Sequence, residues 1–389
     1  MFFVDDPYVS DFLKRTLLEN QLPLVATPAA GKFSFPAGIR WLSEAEAVRN
    51  AHETADLRLY TNSENTIGWI AEHLAFTGIP EKIDLFKNKA KFRRLIAPLY
   101  PNFAFREAKV EELRSLNFAD LPHPCVLKPA VGFLSLGVHM IYTEADWHAA
   151  VDAIEAEIAS IRGRYPEQVV NIDTFVIEQC ITGDEFAVDA YYNASGEVVV
   201  LDILHHTFAS AADVSDRIYT TSKDIITANL ADFSNFLGQI GKLAGVRNFP
   251  VHVELRRTAA GEILPIEVNP MRFGGWCSTP DLAYLAYGLN PYLYYIHQQA
   301  PDWDTLLRGK ENKLYSVVIL DNSTGKTAAE IKSFDYDACL AHFEKPLELR
   351  KIDYRRHGIF AFLFVETRAD ATAELDYILQ SRLNEFITC

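Results

Sequence analysis

Apolar and polar positions follow one another along this chain in an order that changes character twice. At the start, FFVDD reads as a short strand, DFLKRTLLEN carries its apolar residues at helical spacing, and LPLVAT is again strand-like. LRLY, a polar TNSENT and an apolar-periodic GWIAEHLAF repeat the order of strand, loop and helix, which is the mark of a doubly wound α/β unit. No GxGxxG fingerprint is present, so the pattern alone does not make this a dinucleotide domain. A basic helix is expected from about Phe86 to Leu99, carrying Lys87, Lys89, Lys91, Arg93 and Arg94 and stopped near Pro98 and Pro101.

From Cys125 to about Gly196 the text becomes strand, glycine-bearing loop, strand (PCVLKPAVGFLSLGVHMIY), a long helix from about Glu144 to Ile161, and the strands FVIEQCI and EFAVDAYY. EVVVLDILHH reads as a hairpin return, and ASAADVSDRIYTTSKD, without periodicity, as a mobile loop. A helix from about Ser222 to Ala244 leads into VHVELRR, a short turn and EILPIEVNP. Beyond GGWCSTPDLAYLAYGLNPY, the segments LYSVVILD, DYDACLAHFE, ELRKIDYRRHGIFAFLFVET and ATAELDYILQSRL resemble a small open-faced α+β unit. The expected units are therefore residues 1–85, 86–290 with a subdomain at about 123–182, and 291–389.

Composition narrows the function classes. With 389 residues, 49% of them hydrophobic, two or three packed units are expected. No apolar run approaches the length of a membrane helix, and MFFVDDPYVSDF lacks the basic and apolar regions of a signal peptide, so a cytoplasmic protein is expected. Cys125, Cys180, Cys277, Cys339 and Cys389 form neither a CxxC nor a zinc-like pattern. The net charge of −15 argues against a nucleic-acid partner, because such binding rests on clustered Lys and Arg. An anionic substrate must then meet a local basic pocket.

The strands around Glu254 and Glu267 are the most informative feature. A turn centred between Ala260 and Gly261 sets Glu254 opposite Glu267 on one sheet face, and Asn269 shares that face because strand side chains alternate. Two carboxylates that close repel unless a cation sits between them, and with an amide they form the hard-oxygen set suited to Mg²⁺ holding phosphates. The alternative is a solvated hairpin whose acids happen to face one another. Lys128, ending the strand PCVLKP, precedes a loop with Gly132, Ser135 and Gly137, where backbone N–H groups, a hydroxyl and a countercharge would suit phosphate; an ordinary glycine turn with a surface lysine is the alternative. Glu178, Cys180 and Ile181 end a strand and Glu185 opens the next, an arrangement able to meet an adenine edge and ribose hydroxyls.

In this order, over roughly Phe86 to Pro291, these features resemble the ATP-grasp superfamily, with the flanks agreeing less specifically. The resemblance implies an ATP-grasp fold with an N-terminal α/β (pre-ATP-grasp) domain, a lid and the C-terminal α+β unit. It implies ATP as cofactor with two Mg²⁺ ions, Mn²⁺ being an alternative, held by Glu254, Glu267 and Asn269 in VHVEL and IEVNP. Lys89 in NKAKFRRLI and Lys128 in VLKPAVGFLSLGV would steady phosphates under the Ser135 loop, while Glu178, Cys180, Ile181 and Glu185 in VIEQCITGDE would take adenine and ribose. Members commonly place arginine directly after Asn-Pro, whereas Met271 intervenes here before Arg272. Arg272 would hold the substrate carboxylate or a tetrahedral oxyanion.

The activity implied is that of a carboxylate-amine ligase working through an acyl phosphate, with amino acids or small peptides as substrates. Rivals are an ATP-grasp enzyme with another acceptor, carboxylase-like or kinase-like, and an ATP-binding regulator without turnover. His205 and His206, ending VVVLDILHH, are pocket candidates, His206 toward the nucleotide; satisfied strand-end histidines are the alternative. Arg217 and Lys223 flank the expected mobile loop and read more readily as solvated charges. The aromatic-rich segment Trp276 to Tyr295 could line a substrate pocket, but Tyr284, Tyr287 and Tyr292 at near-helical spacing read more readily as helix packing. Dimerisation is common in similar proteins.

Overall fold

A computed structural model describes residues 1–132, 137–161, 171–210, 213 and 215–389, without the side chains of 157–161 and 171–172. The N-terminal unit is a small parallel sheet of Phe2–Phe3 (β1), Leu24–Val25 (β2), Trp41–Leu42 (β3) and Tyr60–Thr61 (β4), in the order β3-β2-β1-β4. Helices Asp11–Glu19 and Glu44–Glu53 link β1 to β2 and β3 to β4, and the helix Ile67–His73 follows β4. The middle helix starts at a capping box between Ser43 and Glu46, a signal present in SEAEAVRNAHE that periodicity did not pick out.

The expected single basic helix is two, Ile79–Lys87 and Lys89–Ile96. Asn88 leaves helical geometry (φ −82°, ψ 106°) and caps the second helix by accepting from the Lys91 N–H, so Lys89 opens a helix while Lys87 ends one. Lys91, Arg93 and Arg94 follow on the second helix.

Phe105–Lys109 (β5), Cys125–Val131 (β6), His139–Ile141 (β7) and Asn171–Gln179 (β8) form a four-stranded antiparallel sheet in the order β5-β8-β6-β7, where the lid is expected, packed by the helix Glu144–Ile161. Trp147 and Ile154 on that helix are fully buried with Leu127, Phe175 and Ile177 of the sheet, which gives this unit its own core. Lys128 lies in the middle of β6, not at the strand's end as expected. Ser135 lies outside the described residues.

Asp184–Tyr192 (β9), Val198–Thr207 (β10), Ile218–Ser222 (β11), Phe249–Arg257 (β12), Ile263–Pro270 (β13), Lys313–Asp321 (β14), Pro346–Lys351 (β16) and Ile359–Arg368 (β17) make one antiparallel sheet, ordered β13-β12-β9-β10-β11-β14-β17-β16. A two-stranded sheet of Ser333–Phe334 (β15) and Ile387–Thr388 (β18) closes the C-terminal part. The helix Lys223–Ala244, capped by Ser222, packs on β10. β11 corrects the expectation of a mobile loop through this whole segment. Its hydroxyls hide a buried strand, with Thr220 meeting Ser316 at 2.7 Å and Thr221 donating to Asp202 at 2.7 Å.

One apolar core runs from the N-terminal sheet through Phe86 and Phe92 into the central sheet, and a second lies under β14 and β17. Among the described residues no helix is long and apolar enough to cross a membrane.

Candidate active site

The β12–β13 hairpin turns through Thr258–Gly261, with Gly261 at φ +83° and the Thr258 N–H bonded to the Glu262 carbonyl at 2.9 Å. Pairing near the turn is therefore Arg257 with Ile263 and Leu255 with Pro265, which centres the hairpin on Ala260 rather than between Ala260 and Gly261. A register irregularity at Ile266 then restores the expected pairing: Glu254 faces Glu267, and His252 faces Asn269. The Asn269 Nδ2 lies 3.5 Å from Glu254 Oε1.

Basic groups surround this face. Lys89 Nζ meets Glu267 Oε2 at 2.8 Å. Burial alone would lower the Lys89 ammonium, but the Glu267 charge holds it above its ordinary value. Burial also opposes ionisation of Glu267, and Lys89, Lys87 and Lys128 more than offset it, so this carboxyl sits well below the usual range. Glu254 goes the other way, pushed well above that range by burial and then by the charges of Glu267, Asp216 and Glu185. Such a split is what facing carboxylates do, and a cation between them removes its cause.

Among the described residues no group of three or more His, Cys, Asp or Glu is arranged to hold a metal. The set here is two carboxylates and an amide, which suits a hard cation whose other ligands are phosphate oxygens and water. By that test the residues fit Mg²⁺.

Lys128 and Arg93 converge on Glu178. Lys128 Nζ lies 2.6 Å from Oε1, and Arg93 reaches Oε2 through Nε at 2.6 Å and Oε1 through Nη2 at 2.9 Å. Burial would raise Glu178, yet the two cations hold it at about 2. Lys128 itself is lowered, first by burial and then by Arg93 and Lys89, against the pull of Glu178. Glu178 is 2% exposed and its carboxylate is engaged by these cations, which leaves its backbone as the part that could meet an adenine edge. Cys180 donates its N–H to the Pro124 carbonyl at 3.1 Å, and the Ile181 carbonyl accepts from Arg256 Nη1.

Glu185, in β9, accepts from His206 Nδ1 at 2.9 Å and from Arg256 Nε at 2.9 Å. Burial alone would raise Glu185; His206 and Arg256 hold it below the ordinary range. His206 stacks on Tyr219 with centroids 4.1 Å apart, and its Nε2 lies 3.0 Å from the Ser215 carbonyl. His205 instead meets Phe186 edge-on, and burial lowers its pKa. Arg217 and Lys223 stand in ion pairs of their own. Arg217 is buried against Asp321 at 2.7 Å, not solvated, and Lys223 pairs with Glu311 at 2.7 Å on the surface.

At the other end of the face, Met271 adopts φ +67°, turning the chain out of β13 while its carbonyl accepts from the Thr61 N–H at 2.8 Å. That docks the end of the hairpin on β4. Arg272 then reaches Glu64 Oε1 through Nη2 at 3.1 Å, and Lys87 bonds the other Glu64 oxygen. Burial opposes ionisation of Glu64, but Lys87 and Arg272 hold it below the ordinary range. Lys87 Nζ also lies 3.3 Å from the Gly132 carbonyl, and Gly137 has φ +68°. Trp276 stands at 6.4 Å from Tyr8 and 5.1 Å from His357, half-buried between three parts of the chain. Tyr287 and Tyr292 are buried as packing residues, while Tyr284 is partly exposed against Phe12.

The structure thus gathers Lys89, Glu254, Glu267 and Asn269 at one place, with Lys128 close enough to act on the charge of Glu267. Sequence reasoning missed Glu64, Arg256 and His252, and gave Arg93 and Lys87 no part; the last two were visible as the charges of the basic segment.

Residues 121–280 match the model of the ATP-grasp domain. The whole chain superposes on solved structures with this fold. These include an L-amino acid ligase from Bacillus licheniformis (TM-score 0.70, 16% identity, covering 100% of this chain and 97% of that one). They also include a biotin carboxylase from Campylobacter jejuni (0.63, 12%, 100% and 91%) and an N5-carboxyaminoimidazole synthase from Aspergillus clavatus (0.62, 14%, 99% and 98%). No curated protein matches the sequence. The match over residues 121–280 and these superpositions agree that the chain has the ATP-grasp fold.

Proposed function

We propose that this chain is an ATP-dependent carboxylate-amine ligase. The observation that carries the reading is the facing pair Glu254 and Glu267, with Asn269 beside it and Lys89 on Glu267, at the junction of the N-terminal unit, the lid and the central sheet. Glu254, Glu267 and Asn269 would hold Mg²⁺, which neutralises charge on the ATP phosphates. Lys89 and Lys128 carry the countercharge of the polyphosphate, and Gly132, Ser135 and Gly137 are the residues that the family resemblance assigns to its phosphates. Adenine lies against the 178–181 strand end through Cys180 and Ile181, and Glu185, oriented by His206 and Arg256, takes the ribose hydroxyls.

In the reaction, a substrate carboxylate oxygen attacks the γ-phosphorus and ADP leaves, giving an acyl phosphate. An amine nitrogen then attacks the acyl carbon, loses a proton, and the C–O bond to phosphate breaks, yielding amide and phosphate. Arg272, released from Glu64 to the substrate, steadies the carboxylate and the tetrahedral oxyanion, as charge-assisted donors do. Exclusion of water matters because an acyl phosphate hydrolyses.

The likeness to an L-amino acid ligase supports amino acids as substrates, and the likeness to a biotin carboxylase domain solved with bicarbonate keeps that anion as an alternative acid. Phosphate release from Mg-ATP, measured across amino acids, other small acids and bicarbonate with and without amines, separates the two. Release requiring an acid and an amine supports the ligase. Release with bicarbonate alone supports a carboxylase-like reaction, and absence of ATP binding overturns both.

A further inference from the structure

Four polar side chains form one row across four adjacent strands. Asp202 of β10 stands opposite Asp189 of β9, Asp189 opposite His252 of β12, and His252 opposite Asn269 of β13. Directly opposed residues share a sheet face, and this row crosses a sheet whose other residues here are largely apolar. All four are buried. Buried polar groups destabilise a core unless their bonds fix something.

The bonds in the row converge on Asp189. Its Oδ1 accepts from His252 Nδ1 at 2.7 Å and from the Gly274 N–H at 3.0 Å, and its Oδ2 accepts from the Thr279 hydroxyl. Because Asp189 accepts at Nδ1, the imidazole plane is set and the opposite edge is aimed along β12. There Nε2 lies 3.8 Å from Glu254 Oε1, the oxygen that Asn269 also approaches. Gly274, two residues after Arg272, is held by the same carboxylate oxygen as His252. A Cβ on Gly274 would meet Thr279 Oγ1 at 2.1 Å, so that position admits only glycine while Thr279 keeps its bond.

We propose that the Asp189–His252 pair is a positioning element of the metal-nucleotide site. It fixes the orientation of Glu254 from behind and ties that carboxylate to the Gly274 segment carrying Arg272. This rests on the ligase reading only in so far as Glu254, Glu267 and Asn269 hold a divalent ion with nucleotide. Residues that orient a ligand's side chain in this way commonly set metal affinity by about 10- to 100-fold.

The test is Mn²⁺ binding in the presence of ADP, followed by electron paramagnetic resonance, with ADP binding in EDTA measured beside it. His252→Asn keeps a donor for Asp189 and removes the edge facing Glu254. The proposal expects Mn²⁺ affinity to fall by about 10- to 100-fold with metal-free ADP affinity and thermal midpoint nearly unchanged. Asp189→Asn should fall in the same direction, and the double variant should lose no more than the worse single one. If Asp189→Asn does not fold, His252→Asn alone decides. Mn²⁺ affinity within about twofold of the unaltered protein overturns the proposal, as does an equal loss of metal-free ADP binding, which would mark a purely structural pair. Failure of the unaltered protein to bind Mn²⁺ with ADP overturns the metal-site reading and the proposal together.

Discussion

Arg93 grips both carboxylate oxygens of Glu178, at 2.6 and 2.9 Å, and its remaining nitrogen donates to the Pro265 carbonyl at 2.7 Å. One side chain thus joins the helix Lys89–Ile96 to the strand β8 and to the hairpin strand β13. Removing a single partner leaves an uncompensated buried charge. Arg93→Met should therefore destabilise the protein by about 3–5 kcal/mol, read from urea unfolding; a loss below about 1 kcal/mol would deny the pair this role.

The same pair sets an acid sensitivity. Glu178 sits at about 2 in the folded protein against an ordinary 4.5, so folding is favoured wherever it is ionised. Its contribution, about 3 kcal/mol, is complete above about pH 5 and is lost as the pH falls through 4.5 toward 2. Glu178→Gln should lower stability at pH 7 and flatten the fall of the urea midpoint between about pH 5 and 3. An unchanged slope would contradict the assignment.

Arg272 is held by Glu64 and its own neighbour's carbonyl; on the ligase reading, a substrate carboxylate takes the place of Glu64. Arg272→Lys keeps the charge but loses the planar fork. The KM for the acid substrate should rise about 10- to 100-fold while the ATP dissociation constant stays near its original value. Equal weakening of ATP binding would place Arg272 on the nucleotide instead.

Gly183 separates the 178–181 strand end from Glu185 at φ +131°, and a Cβ there would meet the Arg257 carbonyl oxygen at 2.2 Å. Gly183→Ala should destabilise the fold by about 1–3 kcal/mol and weaken ATP binding, since the segments on both sides must shift. Calorimetric ATP titration and thermal unfolding read both effects; unchanged affinity would separate this turn from the nucleotide.

What could be read from the chain was what lies close along it. The facing of Glu254 and Glu267 depends on a hairpin whose glycine turn is visible in the sequence, although the half-residue error in the turn was cancelled by the irregularity at Ile266. The long helices were legible because their apolar spacing runs for several turns. Arg93 with Glu178, 85 residues apart, and Arg272 with Glu64, 208 apart, were not, because no local pattern ties such positions together. β11 was hidden by its own hydroxyls, which pair inside the sheet rather than with water. Asn88 was read as part of a helix that it in fact divides.

The most direct test of the account is the phosphorus-31 spectrum of products formed from Mg-ATP, a pool of small carboxylic and amino acids, and hydroxylamine as the trapping amine. The same incubation is run with Glu267→Gln. The account predicts ADP and phosphate in that spectrum, in step with an acyl hydroxamate read as its coloured ferric complex, and a rate lower by about 100-fold or more in the variant. AMP and pyrophosphate as products, or equal turnover by Glu267→Gln, would contradict it.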